Sequence, residues 1–196
     1  MIAVTKTHGP DAVDAAWHAG VRDVGENRVQ EATAKMAAVD VPVRWHLIGH
    51  LQRNKVKSVD GFSLIHSVDS DRLADALHDV GVSRGRAVDV LLEVNTSGEP
   101  SKFGWTPEGL RAEADRLVER VGVRVRGVMT IAPLGASESI LRETFRGARA
   151  AGEVLRAAGH PATELSMGMS NDYEIAVEEG ATMVRLGTVL FGARPS

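Results

Sequence analysis

Lys6, in the run "AVTKTH" at 3–8, is the first residue of this chain with reactive chemistry to offer. An amine leaving an apolar strand is partly desolvated, which disfavours the ammonium form and lowers its pKa. A neutral amine so placed attacks aldehydes and forms a Schiff base, whereas a lysine on a frayed terminus is only solvated. Far along the chain, "SMGMSND" at 166–172 and "VRLGTVLFG" at 184–192 gather small and hydroxyl-bearing residues. Ser166 and Ser170 offer hydroxyls, and Gly187 lets backbone approach a ligand, so the N–H groups near Gly187 and Thr188 can face phosphate oxygens. A helix starting after the first of these loops would add its positive end. The plainer alternative is that serine and glycine shape turns there. Arg185 is permanently charged and has no acceptor. Turned inward, it would donate to a pyridine nitrogen and discourage its protonation; turned outward, it would pack on a helix.

These residues need elements to position them. Short β-branched apolar runs predict strands at 2–6, 23–27, 45–49, 64–68, 88–95, 124–131, 164–168 and 183–188. Between them, helical patterns run over 11–19, 28–38, 71–80, 107–120, 137–158 and 172–179, with a short one near 52–58. Pro10 and Pro107 suit helix first turns, and Gly20, Gly159 and Gly180 suit helix ends. Strands alternating with helices read as parallel β/α units. An open doubly wound sheet and a closed (β/α)8 barrel compete, and a count of eight favours the barrel, a TIM-type α/β fold. No linker or low-complexity segment divides the chain, so 1–196 reads as a single domain.

In such a barrel the chemistry collects at the C-terminal strand ends, and the loops after strands seven and eight are its recurrent phosphate site. The polar residues of this chain cluster at those ends. A lysine amine, a two-loop phosphate cradle and an arginine together suit an aldehyde that carries a phosphate, namely pyridoxal 5′-phosphate. The bulk composition fits. With 43% hydrophobic and 25% charged residues the chain is of ordinary globular make-up. No long apolar run predicts a membrane span, and no basic-then-apolar N-terminal stretch predicts a secretory signal. The absence of cysteine excludes disulfides, Fe–S clusters and thiol catalysis, and agrees with a cytoplasmic location. A net charge of −3 argues against nucleic acid as the main partner.

Five segments, "AVTKTH" at 3–8, "VGENRVQE" at 24–31, "WHLIGHLQRNK" at 45–55, "EVNTSGEPSKFGW" at 93–105 and "ELSMGMSNDYEIAVEEGATMVRLGTVLFGAR" at 164–194, occur in order over nearly the whole chain. Together they resemble the pyridoxal phosphate homeostasis protein family. The resemblance implies a (β/α)8 barrel like the N-terminal domain of alanine racemase, with the cofactor joined to Lys6 as an internal aldimine. It further implies phosphate contacts from Ser166, Gly187 and Thr188, Arg185 beside the pyridine nitrogen, Asn27 near the ring and Met129 over it. Members of that family are described as binding, buffering and delivering the cofactor rather than turning over a substrate. Two features depart from the pattern. The helix that usually precedes the lysine strand is missing, and His50 stands where many members have proline.

Two enzymatic alternatives remain open. A two-base racemase needs a second proton donor on the other ring face, and the chain has one tyrosine, Tyr173, inside the helix after the phosphate loop. A cofactor-free Schiff-base aldolase would use Lys6 with Glu26 or Glu93 as its acid. The carrier reading is preferred, with vitamin B6 homeostasis as the role, no turnover, PLP-dependent apo-enzymes as transient partners and a monomeric state. His46 and His50 have the spacing of a helical metal pair, but "WHLIG" is strand-like and no third ligand is evident, so no metal is expected. The basic stretch at 53–57 reads as a solvated helix face, Lys102 as a solvated loop residue, and Trp17, Trp45 and Trp105 as packing.

Overall fold

The computed structural model describes residues 1–99 and 103–192. Eight parallel strands close into a barrel in chain order: β1 (Ile2–Val4), β2 (Asp23–Glu26), β3 (Arg44–Leu47), β4 (Leu64–Val68), β5 (Val88–Glu93), β6 (Val123–Met129), β7 (Glu164–Met169) and β8 (Met183–Leu186). The closed (β/α)8 barrel is therefore the fold, and the open doubly wound sheet is excluded. The helices α1 (Pro10–His18), α2 (Val29–Met36), α3 (Asp71–Ser83), α4 (Pro107–Val118), α5 (Glu138–Ala157), α6 (Tyr173–Glu178) and α7 (Thr188–Phe191) lie between or after the strands.

Local signals explain the helix ends. Pro10 and Pro107 occupy first turns, where a missing N–H is harmless, and Thr106 caps α4 by accepting from Gly109 N at 3.0 Å. The glycine after α5, Gly159, has φ +94°, a left-handed value that stops the helix. Along α5 the buried positions 141, 144, 145, 148, 151, 152 and 155 form one stripe at helical spacing. Three elements differ from the sequence expectation. The segment near 52–58 is a 3-10 helix over Arg53–Ser58. The expected eighth strand stops at Leu186, because Thr188 begins the short α7. The first strand ends at Val4, so Lys6 stands in a turn beyond it, and Thr7 adopts φ +68°, a region that a β-branched residue rarely visits.

The strands' two faces do different work. Ile65, Val90, Leu92, Val128 and Leu165 join the helices' buried faces in one large apolar layer with Phe145 at full burial. Residues two apart share a face. The alternate positions therefore point into the lumen, where Leu64, Leu91 and Met129 form a separate small cluster with Met183 against it. One step further toward the strands' C-terminal ends, the same faces carry His66, Glu93 and Arg185. Stability resides in the outer layer, and polar chemistry in the lumen.

Candidate functional site

Barrel closure assembles the site. β1 pairs with β8, Ile2 opposite Arg185 and Ala3 opposite Leu186, so the turn bearing Lys6 emerges beside the Gly187 loop. A Cβ at Gly187 would lie 3.5 Å from the Cβ of Val4, a direct measure of that closeness. The ring of His8 packs at a tilt against Phe191 with centroids 5.3 Å apart, tying the lysine turn to α7.

The lysine turn is held from below by a buried charged cluster that the sequence does not announce. Lys35 on α2, 5% exposed, donates to the carbonyl of Thr5 at 2.7 Å and to Glu26 Oε1 at 2.7 Å. It also reaches Glu31 Oε1 at 3.1 Å. Thr5 Oγ1 donates to Glu26 Oε1 at 2.6 Å, and Thr7 N donates to Glu31 Oε1 at 2.7 Å. Thr5 and Thr7, on either side of Lys6, are thereby fixed, and Lys6 is itself half-buried. Those bonds account for the persistence of the strained Thr7 conformation. Glu26, expected as a possible acid, is the buried anion of this clamp.

Arg185 points inward, as the resemblance implies. Its Nη1 donates to the carbonyl and to Oγ of Ser166, both at 2.7 Å, and Nη2 donates to the carbonyl of Thr130 at 2.8 Å. Burial lowers its pKa to about 10, partly offset by the charges of Asp172 and Glu93, and it remains a cation at neutral pH. Three of its five N–H groups have these partners, and the others remain for a further acceptor.

Ser166 lies deeper than the phosphate expectation requires. Ser166 is fully buried, and its hydroxyl is engaged by Arg185 and by His66 Nδ1, the latter at 2.9 Å. The hydroxyl at the 187–189 loop belongs to Ser170, toward which Gly187 N and Val189 N both converge at 3.4 Å. Such contacts are long for N–H···O bonds, so both donors have capacity for a stronger acceptor. Thr188 is exposed between them. Asp172, the N-cap residue of α6, makes no side-chain cap bond to that helix; its Oδ1 accepts instead from Met169 N, at the end of β7, at 2.6 Å.

Asn27 is half-buried at the end of β2, under the loop after β3. Gly49 permits that approach: a Cβ there would come within 2.5 Å of the Asn27 carbonyl oxygen. Met129 is 1% exposed in the lumen cluster, and its strand neighbour Thr130 supplies the carbonyl that holds Arg185. Glu93, at the end of β5, has its pKa pushed up to about 7 by burial and by the nearby charge of Asp69, against the pull of Arg185.

Other candidates separate. The His46 ring bonds Asp23 and His66, whereas His50 pairs with Asp69 and stacks on Phe103 at 4.8 Å, so the two rings serve different neighbourhoods. A cavity of about 640 Å³ lined by His50, Asp69, Arg72 and Phe103 contains neither Lys6 nor Arg185. Lys102 lies outside the described residues. Trp105 packs in the core and donates to the carbonyl of Val68 at 3.2 Å.

Known proteins share this architecture. The family model described as alanine racemase, N-terminal domain, matches residues 1–195. A pyridoxal phosphate homeostasis protein of Aquifex aeolicus is 42% identical over 197 residues, covering 99% of this chain and 86% of that one. Another, from Pseudomonas aeruginosa, is 42% identical over 196 residues, covering 99% and 84%. Among solved structures, PipY of Synechococcus elongatus with PLP bound superposes at a TM-score of 0.91 with 45% identity, covering 97% of this chain and 91% of that one. An alanine racemase of Clostridium difficile superposes at 0.84 with 16% identity, covering 100% and 52%, a likeness of fold alone. By family model and by full-length identity, this chain belongs to the pyridoxal phosphate homeostasis proteins, built on the alanine racemase N-terminal-domain barrel.

Proposed function

We propose that this chain binds pyridoxal 5′-phosphate at the C-terminal mouth of its barrel and serves in homeostasis of that cofactor, holding and releasing it without turnover of its own. When bound, the cofactor supplies an aldehyde that condenses reversibly with an amine. The observation that carries the reading is the convergence of three donor sets: the clamped turn of Lys6, Arg185 with N–H capacity left over, and the under-bonded N–H groups of Gly187 and Val189 around Ser170. They suit an aldehyde, a ring nitrogen and a phosphate ester in turn. In this reading Lys6 holds the aldehyde carbon, Ser170, Gly187 and Thr188 hold the phosphate, and Arg185 donates to the ring nitrogen. Ser166 acts through Arg185, while Asn27 and Met129 bound the ring pocket. That the relative PipY has been solved with PLP bound supports binding of the cofactor.

A carrier role is favoured over racemisation by the position of Tyr173. This lone tyrosine sits in α6, with its hydroxyl 3.4 Å from Glu174, and supplies no second proton donor opposite Lys6. A monomeric protein in the cytoplasm that hands the cofactor to apo-enzymes completes the proposal. Among the described residues, no helix is long and apolar enough to cross a membrane.

The test is an absorbance scan of protein incubated with PLP. A band near about 420 nm is expected from general pyridoxal chemistry. Borohydride should then fix the pyridoxyl mass on the peptide containing Lys6, and Lys6→Ala should lose both signals while unfolding at the same urea concentration. Labelling of a different lysine would refute the site, and sustained alanine racemisation would refute the carrier role.

A further inference from the structure

A line of side chains crosses the barrel lumen from its N-terminal end to Arg185. Asp23 Oδ1 is 2.9 Å from His46 Nε2, and His46 Nδ1 is 2.9 Å from His66 Nε2. His66 Nδ1 is 2.9 Å from Ser166 Oγ, which receives Arg185 Nη1 at 2.7 Å. β4 and β7 are not neighbours in the barrel, so the His66–Ser166 bond spans the lumen. His46, His66, Ser166 and Arg185 are all buried. At the far end Asp23 lines a cavity of about 430 Å³ with Arg44, Asp89 and Arg126, and Arg44 grips its two carboxylate oxygens at 2.6 and 2.7 Å.

Donor and acceptor counting gives this line a direction. Guanidinium is donor-only, so Ser166 Oγ accepts from Arg185, and its own hydrogen goes to His66 Nδ1. With Nδ1 accepting, neutral His66 carries its hydrogen on Nε2 and donates to His46 Nδ1. His46 likewise carries its hydrogen on Nε2 and donates to Asp23, which as a carboxylate can only accept. In the reverse order, a neutral His46 would turn an unprotonated nitrogen to the carboxylate at 2.9 Å and leave the Ser166 hydrogen without an acceptor. Two fixed ends thus select one tautomer for each ring. The electrostatics agree. Burial, with the Arg185 cation nearby, holds His66 well below its ordinary pKa, which keeps it neutral. Asp23 is ionised, because the bonds from Arg44 and His46 outweigh the burial that would raise its pKa.

We propose that Asp23, His46 and His66 are positioning residues: a one-way hydrogen-bond chain that fixes the rotation of the Ser166 hydroxyl, turns its lone pairs to Arg185 and so holds the guanidinium in one orientation toward the ring nitrogen of bound pyridoxal phosphate. The inference rests on the binding function proposed above. Its consequence is that a charge at the opposite end of the barrel helps set the electronic state of the cofactor ring. The Ser166 and Thr130 carbonyls alone would hold the guanidinium in place but leave the Ser166 hydroxyl free to turn.

Two measurements test it. In cofactor-free protein, two-bond proton–nitrogen correlation spectra of ¹⁵N-histidine at neutral pH should show His46 and His66 neutral, both protonated on Nε2. An Nδ1–H tautomer or a cation at either ring overturns the proposal without reference to the cofactor. In loaded protein, Asp23→Asn should mix the tautomers and shift the visible band or its pH profile. Ser166→Ala, which cuts the chain beside Arg185, should do the same and weaken PLP retention about tenfold. Arg116→Ala, which breaks an exposed ion pair with Glu113 on α4, should leave tautomers and band unchanged. A normal band in Asp23→Asn and Ser166→Ala, with PLP retained, overturns the positioning role. Failure of the unmodified protein to take up PLP at all would instead overturn the binding function, a distinguishable result.

Discussion

Replacing Lys35 by Met tests whether the buried cluster beneath Lys6 is a clamp or a bystander. Met keeps most of the stem's volume and removes the ammonium, leaving Glu26, fully buried, with the Thr5 Oγ1 hydroxyl as donor. Breaking a buried ion pair from one side costs about 3–5 kcal/mol, because an uncompensated charge stays behind. That is a large part of the ~5–15 kcal/mol total stability of a typical domain. At a urea dependence of about 2–3 kcal/mol per molar, the unfolding midpoint should fall by about 1–2 M. Glu26→Gln in the Lys35→Met background removes the stranded charge and should restore most of the loss, giving a double-mutant coupling of about 2–3 kcal/mol. The pH dependence has a definite sign. Burial already outweighs the Lys35 and Thr5 contacts and raises the Glu26 pKa, and without Lys35 it rises further. The folded state then holds a proton that the unfolded state has released. The Lys35→Met protein should therefore be most stable near pH 4.5, the ordinary glutamate value, and lose stability toward neutrality at about 1.4 kcal/mol per pH unit. PLP uptake should slow in both variants, since the Thr5 carbonyl loses its anchor. A midpoint change under about 0.3 M, or additivity within about 0.5 kcal/mol, would refute the clamp.

Other outcomes follow from the same geometry. Glu93, with its pKa raised from 4.5 to about 7, contributes stability at low pH that is lost as pH rises through that window. At about 1.4 kcal/mol per unit the swing is at most about 3 kcal/mol, and Glu93→Gln should flatten urea midpoints measured between pH 5 and pH 8; an equally steep profile would assign the titration elsewhere. Ser170→Ala should raise the Kd for PLP about tenfold in an equilibrium absorbance titration, with the unfolding midpoint within error of the parent. An unchanged Kd would remove Ser170 from the phosphate site. Gly49→Ala, whose Cβ would meet the Asn27 carbonyl at 2.5 Å, should destabilise by about 2–3 kcal/mol and reduce PLP uptake; a silent substitution would mean that the loop over Asn27 shifts freely.

The barrel was legible because its signals are local. Each β-branched run, each proline at a helix start and each glycine after a helix acts within a few residues, and eight repetitions of the pattern favour the closed barrel over the open sheet. The inward turn of Arg185 and the meeting of the Lys6 turn with the 187–188 loop could be anticipated in the same way, since their motifs occupy strand ends. What could not be read was which side chains meet across the lumen. Ser166 and His66 are 100 residues apart, and only barrel closure brings them to 2.9 Å. The Ser166–Ser170 ambiguity has the same origin: both hydroxyls lie in one heptapeptide, and which of them faces the loop depends on where β7 leaves the barrel. Lys35 escaped notice for a different reason. A lysine in a helix ordinarily signals a solvated face, and the cue that it does not is weak: Glu31 stands four residues before it and Glu26 nine. His46 and His50 illustrate the converse, a suggestive spacing that the strand–loop boundary between them cancels.

The distribution of polar groups also bears on why this barrel is organised as it is. An apolar lumen of Leu64, Leu91 and Met129 continued to the mouth would be the more stable filling, because buried ion pairs rarely outperform well-packed hydrophobic residues. What buried polar groups add is geometric definition. A guanidinium with three short bonds to fixed acceptors has one orientation, whereas the same group in a looser pocket has several. Among the described residues, the buried side-chain atoms left without a hydrogen bond are Glu26 Oε2, Asp89 Oδ1 and Arg126 Nε, and none belongs to the line from Asp23 to Arg185. The outer apolar layer and the lumen should accordingly respond to mutation in separable ways. Truncation of Phe145 in the outer layer should cost about 3–5 kcal/mol without altering the spectrum of bound PLP, while changes along the lumen line alter the spectrum for a smaller loss of stability.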